Sequence, residues 1–356
     1  MHALILSNRR NVALASSKDK ARFEFLARVV KHAGLFADFR FVDTEEEFRS
    51  CLSLSRPDIV FPTSYFVAPS AGRTEGKIEL CRLLEEIAIP YVGSPPDVLR
   101  LVLSKVALKD RWRERGVLTP EYYGVSCSAA IDDILSLAIE FPYIVKPANE
   151  GNSRGIDSGS VVFSRRELRN KMVSLTASYG EVLVEKYLGD DPGMREFTVA
   201  ALGSGGASLF MSAEIRLERA AAPEAGPRVV TTRDKDSGAA RALPVEEPGL
   251  RTELTLLAAR ACAAAGVRDY ARCDIIRSRG SCYAIEINGE PMVPDPWFEA
   301  CASGAGLGEG RYLIAIFFAA LCRLERSGWK GADRIPFGAM RVALPRSVYR
   351  ALRGDT

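Results

Sequence analysis

The sequence predicts an α/β fold with α+β elements, and three observations carry that prediction. Over residues 1–95, short apolar runs alternate with segments of helical apolar period, the pattern of a small parallel sheet with crossover helices. Between residues 118 and 189, strands and helices alternate again around a glycine-bearing loop. From residue 190 onward, long apolar strands come in neighbouring pairs joined by turns such as GSGG and SRGS, as antiparallel hairpins do.

The elements follow in order. HALILS reads as the opening strand, residues 18–31 carry apolar side chains at helical spacing, FRFV and DIVFP read as strands, and 78–87 as a helix. The turn YVGSPP at 91–96 closes this unit, and one helix is expected over 97–115, stopped by Gly116. A second unit starts near Leu118: YYGV, a helix over 129–140, the strand YIVK at 143–146, the glycine loop, SVVF, a helix over 165–177 and the strand VLVEKYL at 182–188. A third unit holds REFTVAAL and ASLFMSAEI, a helix over 250–265, the strands YARCDII and CYAIEIN, and a helix over 310–327. Residues 217–248 have little apolar period, and a long irregular stretch inside a folded unit is functional or disordered. The expected divisions are 1–117, 118–189, 190–330 with the loop 217–248, and a tail 331–356 that no pattern assigns.

Composition removes several classes of function. The 356 residues, 47% hydrophobic, suffice for two or three domains. A net charge of +3 is no nucleic-acid signature, and Arg111, Arg113 and Arg115 read as a solvated helix face. No apolar run reaches the ~18 residues of a membrane span. The start MHALILS lacks a basic segment, a long apolar stretch and a small-residue cleavage site, so a cytoplasmic enzyme is expected. The eight cysteines form no C-x-x-C pair and read as reduced, mostly buried thiols. The two histidines, His2 and His32, read as structural or exposed, which argues against Ser-His-Asp and Cys-His nucleophiles and His-rich metal sites. Chemistry falls to carboxylates, lysines, arginines and backbone amides.

Three motifs offer such groups. Arg272 and Asp274 lie two apart on one strand, Glu286 and Asn288 two apart on the next, so all four share one face of a hairpin. Hard oxygens from Asp274, Glu286 and Asn288 suit Mg²⁺ with phosphate, and Arg272 suits the phosphate; an exposed face with ordinary ion pairs is the other reading. VKPANEGNSRGI delivers Lys146 from a strand into a loop with Gly151, Ser153 and Gly155, which either folds its amides over phosphates or is a plain turn. It has neither the Walker A order nor G-x-G-x-x-G. VEKYL ends a strand with Glu185, either an acceptor for an adenine amino group beside the backbone of Lys186 and Leu188, or an ordinary strand-end pair.

PYIVKPANEGNSRGI, VLVEKYLGDDPGMREFTVAALG, ARCDII with YAIEINGEP, and YVGS with LSKVALK occur in the order and rough spacing of the ATP-grasp superfamily, and most resemble its D-alanine–D-alanine ligase branch over residues 75–310. The resemblance implies an ATP-grasp fold of three domains, with ATP between the central and C-terminal ones. It implies that Lys105 and Lys146 bind phosphates, Glu185, Lys186 and Leu188 frame adenine, and Glu196 holds the ribose. Ser153 would cover the β- and γ-phosphates, Arg272 would stabilise the transferring phosphoryl group, and Asp274, Glu286 and Asn288 would hold two Mg²⁺, or Mn²⁺ in their place. TTRDKDSG would be a closing loop, with Arg233 or Lys235 on the γ-phosphate.

Departures concern the substrates. The family's glutamate for the first substrate's amine has no counterpart in LILSNRRNVALASSKDK, and its His-Gly segment is replaced by FPTSYFVAPSAGRTEG. Asn152 and Arg154 replace the small loop's usual Ser and Val. GEPMVPDP follows the metal asparagine, so Glu290 and Asp295 either hold a substrate amine or are solvated acids of a turn. The expected function is an ATP-dependent carboxylate–amine ligase, working through an acyl-phosphate on amino acids or a small peptide in specialised metabolism. The alternatives are a D-alanine–D-alanine ligase of cell-wall synthesis and an ATP-binding regulator without turnover. Small-molecule substrates and a homodimer are expected, with neither nucleic acid nor membrane as partner.

Overall fold

Sheets of three, four and five strands and a two-stranded ribbon carry the protein, for which a computed structural model describes residues 1–7, 17–70, 76–151, 153–217, 240–291 and 293–355. The first sheet is parallel, order β2-β1-β3, from β1 (His2–Ser7), β2 (Phe36–Phe41) and β3 (Ile59–Pro62). Ala3 to Leu6 are fully buried, which explains the unbroken apolar run of a strand covered on both faces. Helices α1 (Ser17–His32) and α2 (Glu45–Ser55) make the crossovers. The reading of the sequence missed α2, although its start is signalled: Thr44 accepts from the Glu47 amide, Glu47 accepts from the Asp43 amide, and Glu45 to Glu47 face the helix dipole. The ribbon β4 (Phe66–Val67) and β5 (Ile78–Glu79) leads into α3 (Leu80–Glu86).

The single helix expected over 97–115 is two, α4 (Pro96–Leu103) and α5 (Lys105–Glu114). Ser104 is extended, with φ −94° and ψ 106°, and its Oγ accepts from the Ala107 amide at 3.3 Å, so one residue ends α4 and caps α5. The break puts Lys105 in the first turn of a redirected helix.

The second sheet, order β6-β9-β7-β8, is antiparallel: β6 (Tyr122–Val125), β7 (Tyr143–Pro147), β8 (Val161–Val162) and β9 (Val182–Lys186), backed by α6 (Ser128–Ser136) and α7 (Arg165–Tyr179). The third sheet, order β12-β11-β10-β13-β14, is antiparallel throughout: β10 (Arg195–Ser204), β11 (Ala207–Leu217), β12 (Ala240–Pro244), β13 (Tyr270–Ser278) and β14 (Ser281–Asn288), with α8 (Pro248–Ala265) behind it. β12 corrects the expectation of irregular chain over 217–248. It is an edge strand burying only Ala240, with Arg241 and a terminal Pro244, so it lacks the apolar alternation of an inner strand.

The remaining chain is helical: α9 (Pro296–Ser303), α10 (Arg311–Arg326), α11 (Phe337–Ala343) and α12 (Arg346–Arg353). The stretch after 331 is therefore folded, with Met340, Val348 and Leu352 buried and Arg353 paired to Glu325. α10 is buried nearly all round because it lies between the first and third sheets: the Phe317 ring meets Phe61 edge-on at 5.3 Å, and Ala3, Ile5, Ala200 and Leu202 belong to the same core. Six of the eight cysteines are buried thiols, and all eight are free. Among the described residues no helix is long and apolar enough to cross a membrane.

Candidate active site

A cleft separates the second sheet from the third. Lys105, Lys146, Ser153, Glu185, Lys186, Leu188, Glu196, Asp274 and Glu286 all line it. Most of the sequence-derived phosphate, adenine and metal residues thus meet in one place, although they come from one helix, five strands and the loops between them; Arg272 and Asn288 share the strand face but are not among the residues lining the cleft.

The floor is built by register. Arg272 pairs with Asn288 and Asp274 with Glu286 across β13 and β14, while the intervening Cys273 and Ile287 point into the core under α8. The shared face predicted from spacing is present. Asp274 accepts from the Thr198 hydroxyl of β10 at 2.7 Å, and Thr198 is its cross-strand neighbour. Glu286 Oε2 stands 3.5 Å from the Lys105 ammonium, which also donates to the Glu150 carbonyl at 2.5 Å. Two carboxylates and an amide oxygen on one face are hard donors that fit Mg²⁺. Among the described residues no three His, Cys, Asp or Glu side chains gather as a metal cage, so such an ion would complete its shell with phosphate and water.

Arg272 is largely buried, with Nε 3.4 Å from Asp274 Oδ1, Nη1 on Asp295, and its guanidinium 5.2 Å from the Trp297 ring centre. This overturns the expectation for Asp295. Its Oδ1 accepts from the Trp297 amide at 2.8 Å and the Phe298 amide at 3.3 Å as cap of α9, and its Oδ2 holds Arg272. Both oxygens are thus engaged, one as a helix cap and one in the ion pair with Arg272.

Glu185 is corrected as well. Its carboxylate is buried between the ammonium groups of Lys109 at 2.5 Å and Lys146 at 2.6 Å, rather than turned to an adenine edge. Desolvation pushes this carboxyl up, but the two lysines outweigh it and hold it below its usual range. Burial in turn lowers the Lys109 ammonium to about 8, against the pull of Glu185. Lys186 sends its ammonium to the Glu140 carbonyl at 2.5 Å, over the Tyr143 ring at 5.4 Å. What faces the cleft around Leu188 is apolar: Ile144, Met194, Phe197 and Ile276, a slot for a flat ring.

The glycine loop turns tightly. Ser153 is left-handed at φ 57°, and a side chain on Gly155 would meet Pro147 at 2.7 Å. Arg233 and Lys235 lie outside the described residues.

Glu290 is placed differently from Asp295. It is buried, and among the described residues its Oε1 accepts only from the Cys81 thiol at 3.4 Å and its Oε2 has no hydrogen-bond partner. Its amide donates to the Tyr65 hydroxyl at 3.0 Å, and Gly93 leaves room that a Cβ would close to 2.7 Å from Oε1. Burial pushes the carboxyl well above its usual range.

Four residues of this centre went unread in the sequence: Thr198, Lys109, Trp297 and Tyr65. Lys109 had a usable signal, four residues beyond Lys105 on one helix. Tyr65 had none, since its partner lies 225 positions away.

Known proteins resemble this chain along most of its length. The family model described as D-ala D-ala ligase C-terminus matches residues 116–307. A D-alanine–D-alanine ligase of Xanthomonas axonopodis is 34% identical over 216 residues, 59% of this chain and 62% of that protein, so the chain spans less than two thirds of it. One of Xylella fastidiosa is 30% identical over 312 residues, 85% of this chain and 92% of that protein. The crystal structure of D-alanine–D-alanine ligase from Bacillus anthracis complexed with ATP shares the fold, with a TM-score of 0.65 at 19% identity, over 92% of this chain and 99% of that one. The chain belongs to the D-alanine–D-alanine ligase family, ADP-forming ATP-grasp ligases that make C–N bonds.

Proposed function

We propose that this protein uses ATP to phosphorylate the carboxylate of one D-alanine and joins it to the amine of a second. The observation that carries the reading is the one face of β13 and β14 that pairs Arg272 with Asn288 and Asp274 with Glu286, and brings Asp274 and Glu286 into a cleft with Lys105 and Lys146. The named relatives supply the substrate.

Lys105 and Lys146 hold phosphates from two sides. The backbone of Lys186 and the Leu188 side chain frame adenine, Glu196 takes the ribose hydroxyls, and Ser153 covers the β- and γ-phosphates. Asp274, Glu286 and Asn288 would hold Mg²⁺, which when bound would supply positive charge against the phosphates. Arg272, aimed by Asp274 and Asp295, meets the same charge without having to reorganise. Arg233 or Lys235, outside the described residues, is the proposed γ-phosphate contact. Glu290 takes the substrate ammonium: an orphaned buried carboxyl is costly, and a cation repays that cost.

A second reading, another amino-acid pair, is favoured by that same Glu290. The acid assigned to the amine stands after the metal asparagine, and the first unit lacks the family's glutamate. A phosphate-release assay over D- and L-amino acids, with mass detection of product, separates the two. Turnover with D-alanine alone is the expected result. Silence with D-alanine and turnover with another pair would establish the second reading; silence throughout would overturn both.

A further inference from the structure

The proposed nucleotide roles leave Lys109 unused, yet it is the most thoroughly buried charge in the centre, at 0% exposure. Its ammonium touches Glu185 at 2.5 Å and donates to the Thr119 hydroxyl at 2.5 Å, and that hydroxyl donates to the Ala284 carbonyl at 2.8 Å. Trp112 and Tyr122 rings flank it at 5.6 and 5.8 Å. It cannot reach the cleft, whereas Lys146, on the other oxygen of Glu185, lines it.

From this geometry we infer that Lys109 is a positioning residue for nucleotide binding, acting through Glu185 to leave Lys146 free for the phosphates. The triad carries two positive charges and one negative. Without Lys109, Lys146 becomes the only counter-ion of a buried carboxylate, and turning it toward a phosphate would strand that carboxylate in low dielectric. With Lys109 in place, Glu185 stays compensated whichever way Lys146 turns, and the surplus positive charge faces the cleft. Helix α5 thus serves the nucleotide twice: Lys105 directly from its first turn, and Lys109 indirectly one turn later.

The inference rests on ATP as ligand, and calorimetric titration of the full chain with ATP and with adenosine keeps the two apart. No ATP binding by the unsubstituted chain overturns the ATP reading itself. If ATP binds, Lys109→Met is expected to weaken ATP about tenfold and leave adenosine unchanged, because only the phosphates meet Lys146. In a Lys146→Met background the further loss on Lys109→Met is expected to vanish. Equal weakening of ATP and adenosine, or an undiminished loss in the Lys146→Met background, overturns the inference. Lys109→Gln, which keeps a donor for Thr119, reads the same quantities if the methionine variant does not fold. Lysine side-chain NMR on the unsubstituted chain needs no variant: the Lys109 signal is expected to shift with ATP and not with adenosine, and no shift with ATP overturns the inference.

Discussion

The proposed nucleotide cleft and the proposed amine site at Glu290 are built on different principles. At the nucleotide end, side chains stand where strand register puts them: Arg272 faces Asn288, Asp274 faces Glu286, and Thr198 faces Asp274. Around the proposed amine site they come from loops and helix ends far apart in sequence, Tyr65 and Cys81 against Glu290, and Asp295 against Arg272. A register tolerates little change, because a one-residue slip turns every side chain to the other face. Loop-borne residues can be exchanged one at a time. This is how the motifs proposed for the nucleotide can resemble the family's while the residues after Asn288 depart from it.

The largest expected effect tests the register-built end. Asp274→Ala or Glu286→Ala is expected to lower ATP-dependent phosphate release by on the order of 10³-fold, with circular dichroism unchanged. Near-normal turnover in either would remove the metal assignment.

Asp295→Asn lies where the two ends meet. Asparagine keeps an oxygen for the Trp297 and Phe298 amides but loses the charge that aims Arg272. A fall of about 10- to 100-fold in kcat is expected, with KM for ATP nearly unchanged. A change confined to thermal stability would make Asp295 a helix cap only.

Glu290→Gln tests the loop-built end in two ways. KM for the amino-acid substrate should rise about tenfold with KM for ATP unchanged. Stability should move the opposite way. A carboxyl raised on folding stabilises most below its ordinary value of 4.5, and that stability drains as pH climbs toward the folded value. The amide variant escapes the loss, so its advantage in thermal unfolding should be larger at pH 8 than at pH 5. The slope is bounded by about 1.4 kcal/mol per pH unit. An equal melting difference at the two pH values would show that Glu290 ionises normally.

The smallest effect concerns Ser104. Ser104→Ala should cost about 1 kcal/mol of stability through loss of the α5 cap, read by denaturant midpoint. No loss would place the α4–α5 break elsewhere.

Much of the register-built end was legible in the sequence, because two-residue spacing and a short turn suffice to put Arg272, Asp274, Glu286 and Asn288 together. The position of Glu185 was not legible: its environment depends on Lys109 from α5 and Lys146 from β7, and strand-end acids look alike until those neighbours are known. Asp295 was readable and misread. An acid followed by Pro296 and Trp297 is a helix-start pattern, which competes with any ligand role for its oxygens. The strand β12 hid because one buried alanine leaves no period to detect. Tyr65 and Glu290 meet only through tertiary contact.

Helix α10 also bears on how the chain is made. The strands β1, β2 and β3, ending at Pro62, are made well before the helix that covers Ala3, Ile5 and Phe61, which does not begin until Arg311. At ordinary elongation rates that interval is on the order of tens of seconds. Over that time the core around Ala3, Ile5 and Phe61 has α1, through Leu26, Val30 and Ala33, but not the helix that completes it.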